Sequence, residues 1–319
     1  MSEVLYPAAL PFHQQTLAVG DGHQLYIAEF GSADGTPALF LHGGPGTGCS
    51  AQHARLFDPQ RYRVIQVDQR GAGRSTPVGE TRDNDLAALI ADLETLRQHL
   101  QIERWLVYGG SWGATLALEY AKRHARRIAS LVLRAPFLAR VSDLDWFSGP
   151  SGLAKQLPEA YARLCHALGG EPCDDLYARL HDRLSDDAHP DSAYHAALAW
   201  DHWEAAVMGT PPAATEPVLA DRTSRIARKR VFAHYCRHRF FLGDDGVMAG
   251  IDSLREVHGT IVHGTHDRVC RHAGAELLAH HVSGLQLHSV EGAGHGLHET
   301  ALQRALRAVL DQHTSGSPA

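Results

Sequence analysis

Residues 105–124 read Trp105-Leu106-Val107-Tyr108-Gly109-Gly110-Ser111-Trp112-Gly113-Ala114-Thr115-Leu116-Ala117-Leu118-Glu119-Tyr120-Ala121-Lys122-Arg123-His124. Four apolar residues run into a glycine-rich turn, and apolar residues then recur at helical spacing. A strand over Trp105–Tyr108 and a helix over Ala114–His124 follow, with Gly109, Ser111 and Gly113 forming G-x-S-x-G between them. At so sharp a turn the serine sits in strained backbone, and its neighbours would collide unless they were glycine. The turn lifts the hydroxyl into the open, and the helix N-terminus favours negative charge developing beside it. Ser111 is the candidate nucleophile.

Outward from this turn, short apolar runs alternate with amphipathic stretches, the pattern of a mostly parallel sheet covered on both faces by helices. The runs are Ala38–Leu41, Val64–Val67, Leu131–Leu133, Thr260–Val262 and Leu285–Val290, each bounded by glycine, proline or charge. A hairpin precedes them, Gln15–Val19 and His23–Phe30 turned by Gly20-Asp21-Gly22. Asp85–Leu100 carries Leu86, Leu89, Ile90, Leu93, Leu96 and Leu100 on one helical face. Asp92, Glu94, Arg97 and Gln98 fall on the polar side, and Asn84 or Asp83 is available as the cap. From about Arg140 to Gly250 the alternation stops. That segment is rich in Ala, Leu, His and Arg, includes Trp146, Trp200 and Trp203, and is broken by Pro158, Pro172, Pro190 and Pro211-Pro212. It reads as a helical cap (140–250) inserted between two parts of one core, 1–139 and 251–319. The last helix is expected near Glu299–Gln312, followed by a frayed Ser/Gly/Pro-rich tail, Thr314–Ala319.

A serine hydroxyl needs a base to become nucleophilic near neutral pH, and the base needs an orienting acid. With a strand–turn–helix serine, the chain order is Ser, then Asp or Glu, then His. Asp267 follows the Thr260–Val262 strand through His263-Gly264-Thr265-His266, and His295 lies in Glu291-Gly292-Ala293-Gly294-His295-Gly296 after the Leu285–Val290 strand. Asp252 is also downstream of Ser111, but it precedes a strand. Ser111, Asp267 and His295 therefore form the candidate triad. An oxyanion would need backbone donors. One is the amide of Trp112, and the other belongs to Leu41-His42-Gly43-Gly44-Pro45-Gly46, with Gly44 favoured and Gly43 close behind.

Composition narrows the alternatives. The 319 residues are 44% hydrophobic, enough for a sizeable core, and the net charge of −6 with interleaved signs gives no basic surface for nucleic acid. No apolar run approaches the roughly 18 residues that span a bilayer, and Met1–Thr16 lacks the basic start and apolar stretch of a secretory signal. The five cysteines, Cys49, Cys165, Cys173, Cys236 and Cys270, show no CxxC spacing and suit the reducing cytosol, so a cytoplasmic location is expected. Most of the 23 histidines read as solvated surface residues. His263 and His266 beside Asp267 resemble a ligand group, but HExxH is absent, and no metal is expected.

Taken together, the motifs resemble the prolyl aminopeptidase (proline iminopeptidase) family of the α/β-hydrolase fold. The resemblance rests on His42–Gly46, on Asp68-Gln69-Arg70-Gly71-Ala72-Gly73-Arg74-Ser75, on Gly109–Gly113, on Gly264–Asp267, and on Gly294-His295. In the cap, Asp143–Phe147 and Trp200-Asp201-His202-Trp203-Glu204 are similar too. It implies removal of an N-terminal proline from small peptides without an organic cofactor, with Glu204 holding the free amino end beside Trp203. A second glutamate is typical of the family just before a His-Tyr pair. Here Phe232 takes that position, and Cys236 stands where an aromatic is expected. Losing one of two charged contacts is worth roughly 1–3 kcal/mol. The small-ring pocket implied by the resemblance uses Phe137 and Cys270, with Arg271 replacing a proline. The Phe232 departure opens a second reading, an esterase or amidase on small acyl substrates without a free amine; a third, a non-catalytic binding protein on the same scaffold, is opposed by the intact candidate triad.

Overall fold

Eight strands form one sheet in the computed structural model, which describes residues 4–170, 176–210 and 219–313. Pro172, Cys173, Pro211, Pro212 and the tail from Thr314 lie outside the described residues. The strands are β1 (His13–Gly20), β2 (His23–Gly31), β3 (Thr36–Leu41), β4 (Tyr62–Asp68), β5 (Trp105–Gly110), β6 (Ile128–Arg134), β7 (Gly259–Gly264) and β8 (Leu285–Val290). Their spatial order is β1-β2-β4-β3-β5-β6-β7-β8. The β1 hairpin and the β2–β4 pairing are antiparallel, and every pairing from β4 to β8 is parallel. Thus the sheet is mostly parallel, and all the anticipated strands are present, β8 with the expected ends and the others longer by one to three residues at one or both ends.

The helices are α1 (Ala51–Ala54), α2 (Leu86–His99), α3 (Trp112–His124), α4 (Val141–Ser148), α5 (Leu153–Gln156), α6 (Pro158–Ala167), α7 (Leu176–Ser185), α8 (Pro190–Met208), α9 (Leu219–Arg237), α10 (His272–His281) and α11 (Thr300–His313). Two hydrophobic clusters flank the sheet. Leu39, Leu41, Val107 and Leu133 point toward α2 and α3, whereas Phe40, Tyr108, Val132 and Val262 point toward the side of α11. Burial on both faces explains why β5 reads as a continuous apolar run rather than an alternating one. Each fully buried Leu or Val stabilises the fold by about 1.5–3 kcal/mol. Helices α4 to α9 all fall between β6 and β7 and build a third cluster of their own around Leu164, Leu180, Trp200 and Trp203.

Two expectations about α2 need correction. Its N-cap is Asp85, whose carboxylate accepts from the Ala88 amide at 2.8 Å. Asn84 instead donates to the carbonyls of Arg70 and Glu80. Moreover, Asp92 and Arg97 are buried rather than solvated. The reason is tertiary: the loop after β4 brings Arg70 against this face, and its guanidinium holds both oxygens of Asp92, at 2.7 and 2.8 Å. Arg97 pairs with Glu94 and donates to the Ile102 carbonyl. Neither partner was visible from helical periodicity.

Breaking a buried pair strands a charge, which costs more than the pair itself contributes. Asp92→Ala is therefore expected to lower the unfolding free energy by about 3–5 kcal/mol, measured by urea unfolding. A loss below about 1 kcal/mol would show that Asp21, 3.1 Å from the same guanidinium, already compensates Arg70.

Candidate active site

β5 ends at Gly110, α3 starts at Trp112, and Ser111 makes the entire turn with φ 55° and ψ −121°. Such a conformation is strained for a side-chain-bearing residue and persists only when its surroundings enforce it. Here the Ser111 amide extends the ladder to the Arg134 carbonyl at 2.9 Å. Close packing does the rest: a Cβ on Gly113 would lie 2.2 Å from the Leu41 carbonyl, so only glycine lets α3 approach the end of β3.

Asp267 and His295 come from loops after β7 and β8 and meet at 2.7 Å between Oδ2 and Nδ1. The other carboxylate oxygen accepts from the amides of Val269 and Cys270. Burial alone would raise the Asp267 carboxyl, but the charge of His295 and hydrogen bonds from His263 and His295 hold it well below the usual carboxylate range. The hydrogen-bond network assigns the His295 proton to Nδ1 and leaves a lone pair on Nε2, the arrangement a base requires. Asp252, the other downstream carboxylate considered, is exposed. His263 is fully buried and bonds the Cys270 carbonyl, whereas His266 is exposed. Among the described residues no three His, Cys, Asp or Glu side chains converge on a metal-sized site.

Ser111 and His295 open onto one cavity of about 410 Å³, which Gly43, Gly44, Glu204 and Phe232 also line. Gly43 lies against the serine, since a Cβ there would stand 3.5 Å from that of Ser111. Gly44, at φ +111°, occupies backbone that side-chain-bearing residues rarely adopt. Phe137 and Cys270 line the cavity, and burial pushes the Cys270 thiol well up, leaving it neutral. Trp203 does not line it. It is buried between Phe147 and Tyr161, because successive helical residues point about 100° apart and Glu204 takes the cavity side. Glu204 itself is not a lone carboxylate: Oε1 accepts from Trp200 Nε1 at 3.0 Å, and Oε2 meets Lys229 Nζ at 2.5 Å.

Three residues near the site escaped the sequence reading of side-chain roles. Gln69 donates to the His42 carbonyl at 3.0 Å and accepts from Trp112 Nε1 at 2.9 Å, tying together the two segments that carry the candidate oxyanion donors. His42 is buried and kept neutral by that burial. Its Nε2 accepts from the Gln69 amide and its Nδ1 donates to the Gly43 carbonyl. Arg134 donates to the His295 carbonyl at 2.8 Å and comes within 3.4 Å of Nε2. A Cβ on Gly110 would stand 2.8 Å from the end of its guanidinium, so the arginine packs directly over this glycine. One signal for Arg134 was available, a charge at the carboxyl end of a buried parallel strand, where sites in open α/β sheets gather.

Known proteins share this fold, and others share much of this sequence. The α/β hydrolase fold family matches residues 36–302, and the chain belongs to that class. Within it, a proline iminopeptidase of Xanthomonas citri is 37% identical over 311 residues, covering 96% of this chain and 98% of the relative. A proline iminopeptidase of Arabidopsis thaliana is 37% identical over 305 residues, covering 95% and 80%. The chain is a member of the proline iminopeptidase family and a hydrolase. Solved structures agree on the fold. An esterase from Exiguobacterium antarcticum superposes with a TM-score of 0.62 at 19% identity, covering 94% of this chain and 99% of its own. A proline iminopeptidase-related protein from Thermus thermophilus gives 0.59 at 22%, covering 95% and 98%. No described helix is long and apolar enough to cross a membrane.

The depressed Asp267 carboxyl has a consequence for stability. Its ionised form stabilises the fold above the unfolded carboxylate value of about 3.9, and that contribution is lost as pH falls through the lower folded value. Asp267→Asn should destabilise by about 1–3 kcal/mol at neutral pH. The deficit should shrink below about pH 4 in urea unfolding across a pH series. A deficit constant with pH would assign the loss to packing.

Proposed function

We propose that the chain is a serine exopeptidase working by acyl transfer, with residues 140–250 as a cap over the site. Ser111 Oγ attacks the substrate carbonyl carbon while His295 Nε2 takes its proton, and Asp267 orients the imidazole and stabilises its charged form. The amides of Trp112 and of Gly44, with Gly43 beside it, hold the oxyanion. Collapse of the tetrahedral species breaks the bond to the leaving amine, which recovers the proton from His295. Water then repeats the sequence, releasing the acid and restoring Ser111. The observation that carries this reading is the strained Ser111 and the His295–Asp267 pair on a single cavity. Kinship with proline iminopeptidases points to an N-terminal proline, or a similar small residue of a small peptide, as the acyl group. One observation favours a second reading, an esterase or amidase on small acyl groups without a free amine: the Glu204 carboxylate is already engaged by Lys229.

Ser111→Ala is expected to reduce turnover of a prolyl anilide by about 10³–10⁶-fold, and to abolish labelling by a fluorophosphonate probe. His295→Ala should cost a similar factor and the double variant little more, since the triad acts as a unit. Near-wild-type turnover by either single variant would end the acyl-transfer reading. Rates should also be unchanged by exhaustive chelation with EDTA, because imidazole activates the nucleophile; a loss restored by zinc would point to a metal instead.

A further inference from the structure

Glu204 is the one carboxylate among the described residues lining the cavity, so a cationic substrate group would turn to it. Its surroundings work against that. Lys229 comes from α9, its side chain is only 7% exposed, and its ammonium bridges Glu204 Oε2 at 2.5 Å and Asp201 Oδ1 at 2.9 Å. Arg225 and Arg228 also pair with Asp201, so among the described residues two carboxylates face three cations, one positive charge in excess. Burial would raise the Asp201 carboxyl, yet Lys229 and the two arginines hold it low, so it is ionised and already spoken for. The Phe232 ring centroid is 5.7 Å from Lys229 Nζ and the ring supplies no charge of its own. A second cation brought beside Glu204 would meet like charge at close range in a partly desolvated wall, where screening is weak. Beside the polar groups of the Ser111 end, Arg134 and His295 among them, the wall carries an apolar patch of Phe137, Phe147, Phe240 and Val269 suited to a small ring recognised by shape.

We infer that Lys229 is a built-in counter-ion standing where a substrate ammonium would otherwise pair with Glu204, so that the site takes small-ring acyl groups without requiring their positive charge. The inference rests on the acyl-transfer reading and sharpens its substrate class: the acyl ring is selected by size and apolar fit, and Lys229 sets the indifference to charge.

The test compares two 4-nitroanilides that differ at one ring position, prolyl and cyclopentanecarbonyl. At about pH 6.5, below the ~7.7–8.0 range of α-amino groups, the prolyl ring nitrogen is protonated. The wild-type ratio of kcat/KM, prolyl over cyclopentanecarbonyl, is expected at about 3 or less, and Lys229→Met should raise it about tenfold by freeing Glu204. A wild-type ratio above about 3, or one that Lys229→Met leaves unchanged or lowers, overturns the inference. Should the variant fail to fold, the wild-type ratio decides alone. Ser111→Ala on both anilides examines the parent reading separately: hydrolysis surviving that change removes acyl transfer, and the inference with it, whatever the ratio.

Discussion

The crossing of α3 over the ends of β3 and β5 is the constraint on which the site depends. Leu41 and Gly113 approach so closely that no side chain fits between them, and this forces the chain to reverse within a single residue at Ser111. The strain of that reversal is held by the buried sheet on either side, whose β5 and β6 strands continue their ladder through the Ser111 amide. A weaker sheet would let the turn relax. The hydroxyl would then no longer project into the cavity, so the core's packing and the proposed chemistry are two consequences of one geometry.

Around that turn, the loops are joined to one another rather than only to their own strands. Gln69, at the end of β4, connects the His42–Gly43 loop to the Trp112 indole, while His42 clamps the Gly43 carbonyl. Asp267 is gripped by two backbone amides before it meets His295. Such cross-bracing suits a reaction in which charge develops at a fixed point, because preorganised donors need not reorient as it forms. Arg134 adds a cation beside the imidazole, anchored to the backbone of the very residue it approaches.

The helices between β6 and β7 bring Glu204 and Phe232 to the cavity. Their own cluster around Trp200 and Trp203 keeps α8 in place, and α9 lays Lys229 across Glu204 and Asp201. Family membership thus defines the reaction class and the fold, while we assign the choice of acyl group to the charge balance within these two helices.

Local sequence alone determined the strands, the sharp strand-to-helix turn at Ser111 and the chain order Ser111, Asp267, His295. Those features are encoded within a few residues, as apolar runs too short for helices and as glycines where side chains would collide. Sequence also marked Glu204 and the absence of a carboxylate at Phe232. Only tertiary structure decided what met across long separations: Arg70 with Asp92, Gln69 with Trp112, Arg134 with His295, and Lys229 with Glu204. Periodicity assigns a polar residue to solvent by default, and it placed Asp92 and Arg97 there. Only the folded chain brings the opposite charge or carbonyl that makes their burial tolerable. For the same reason Trp203 and Glu204, adjacent in one motif, part company: the helix turns about 100° per residue, sending one into the packing and the other to the cavity.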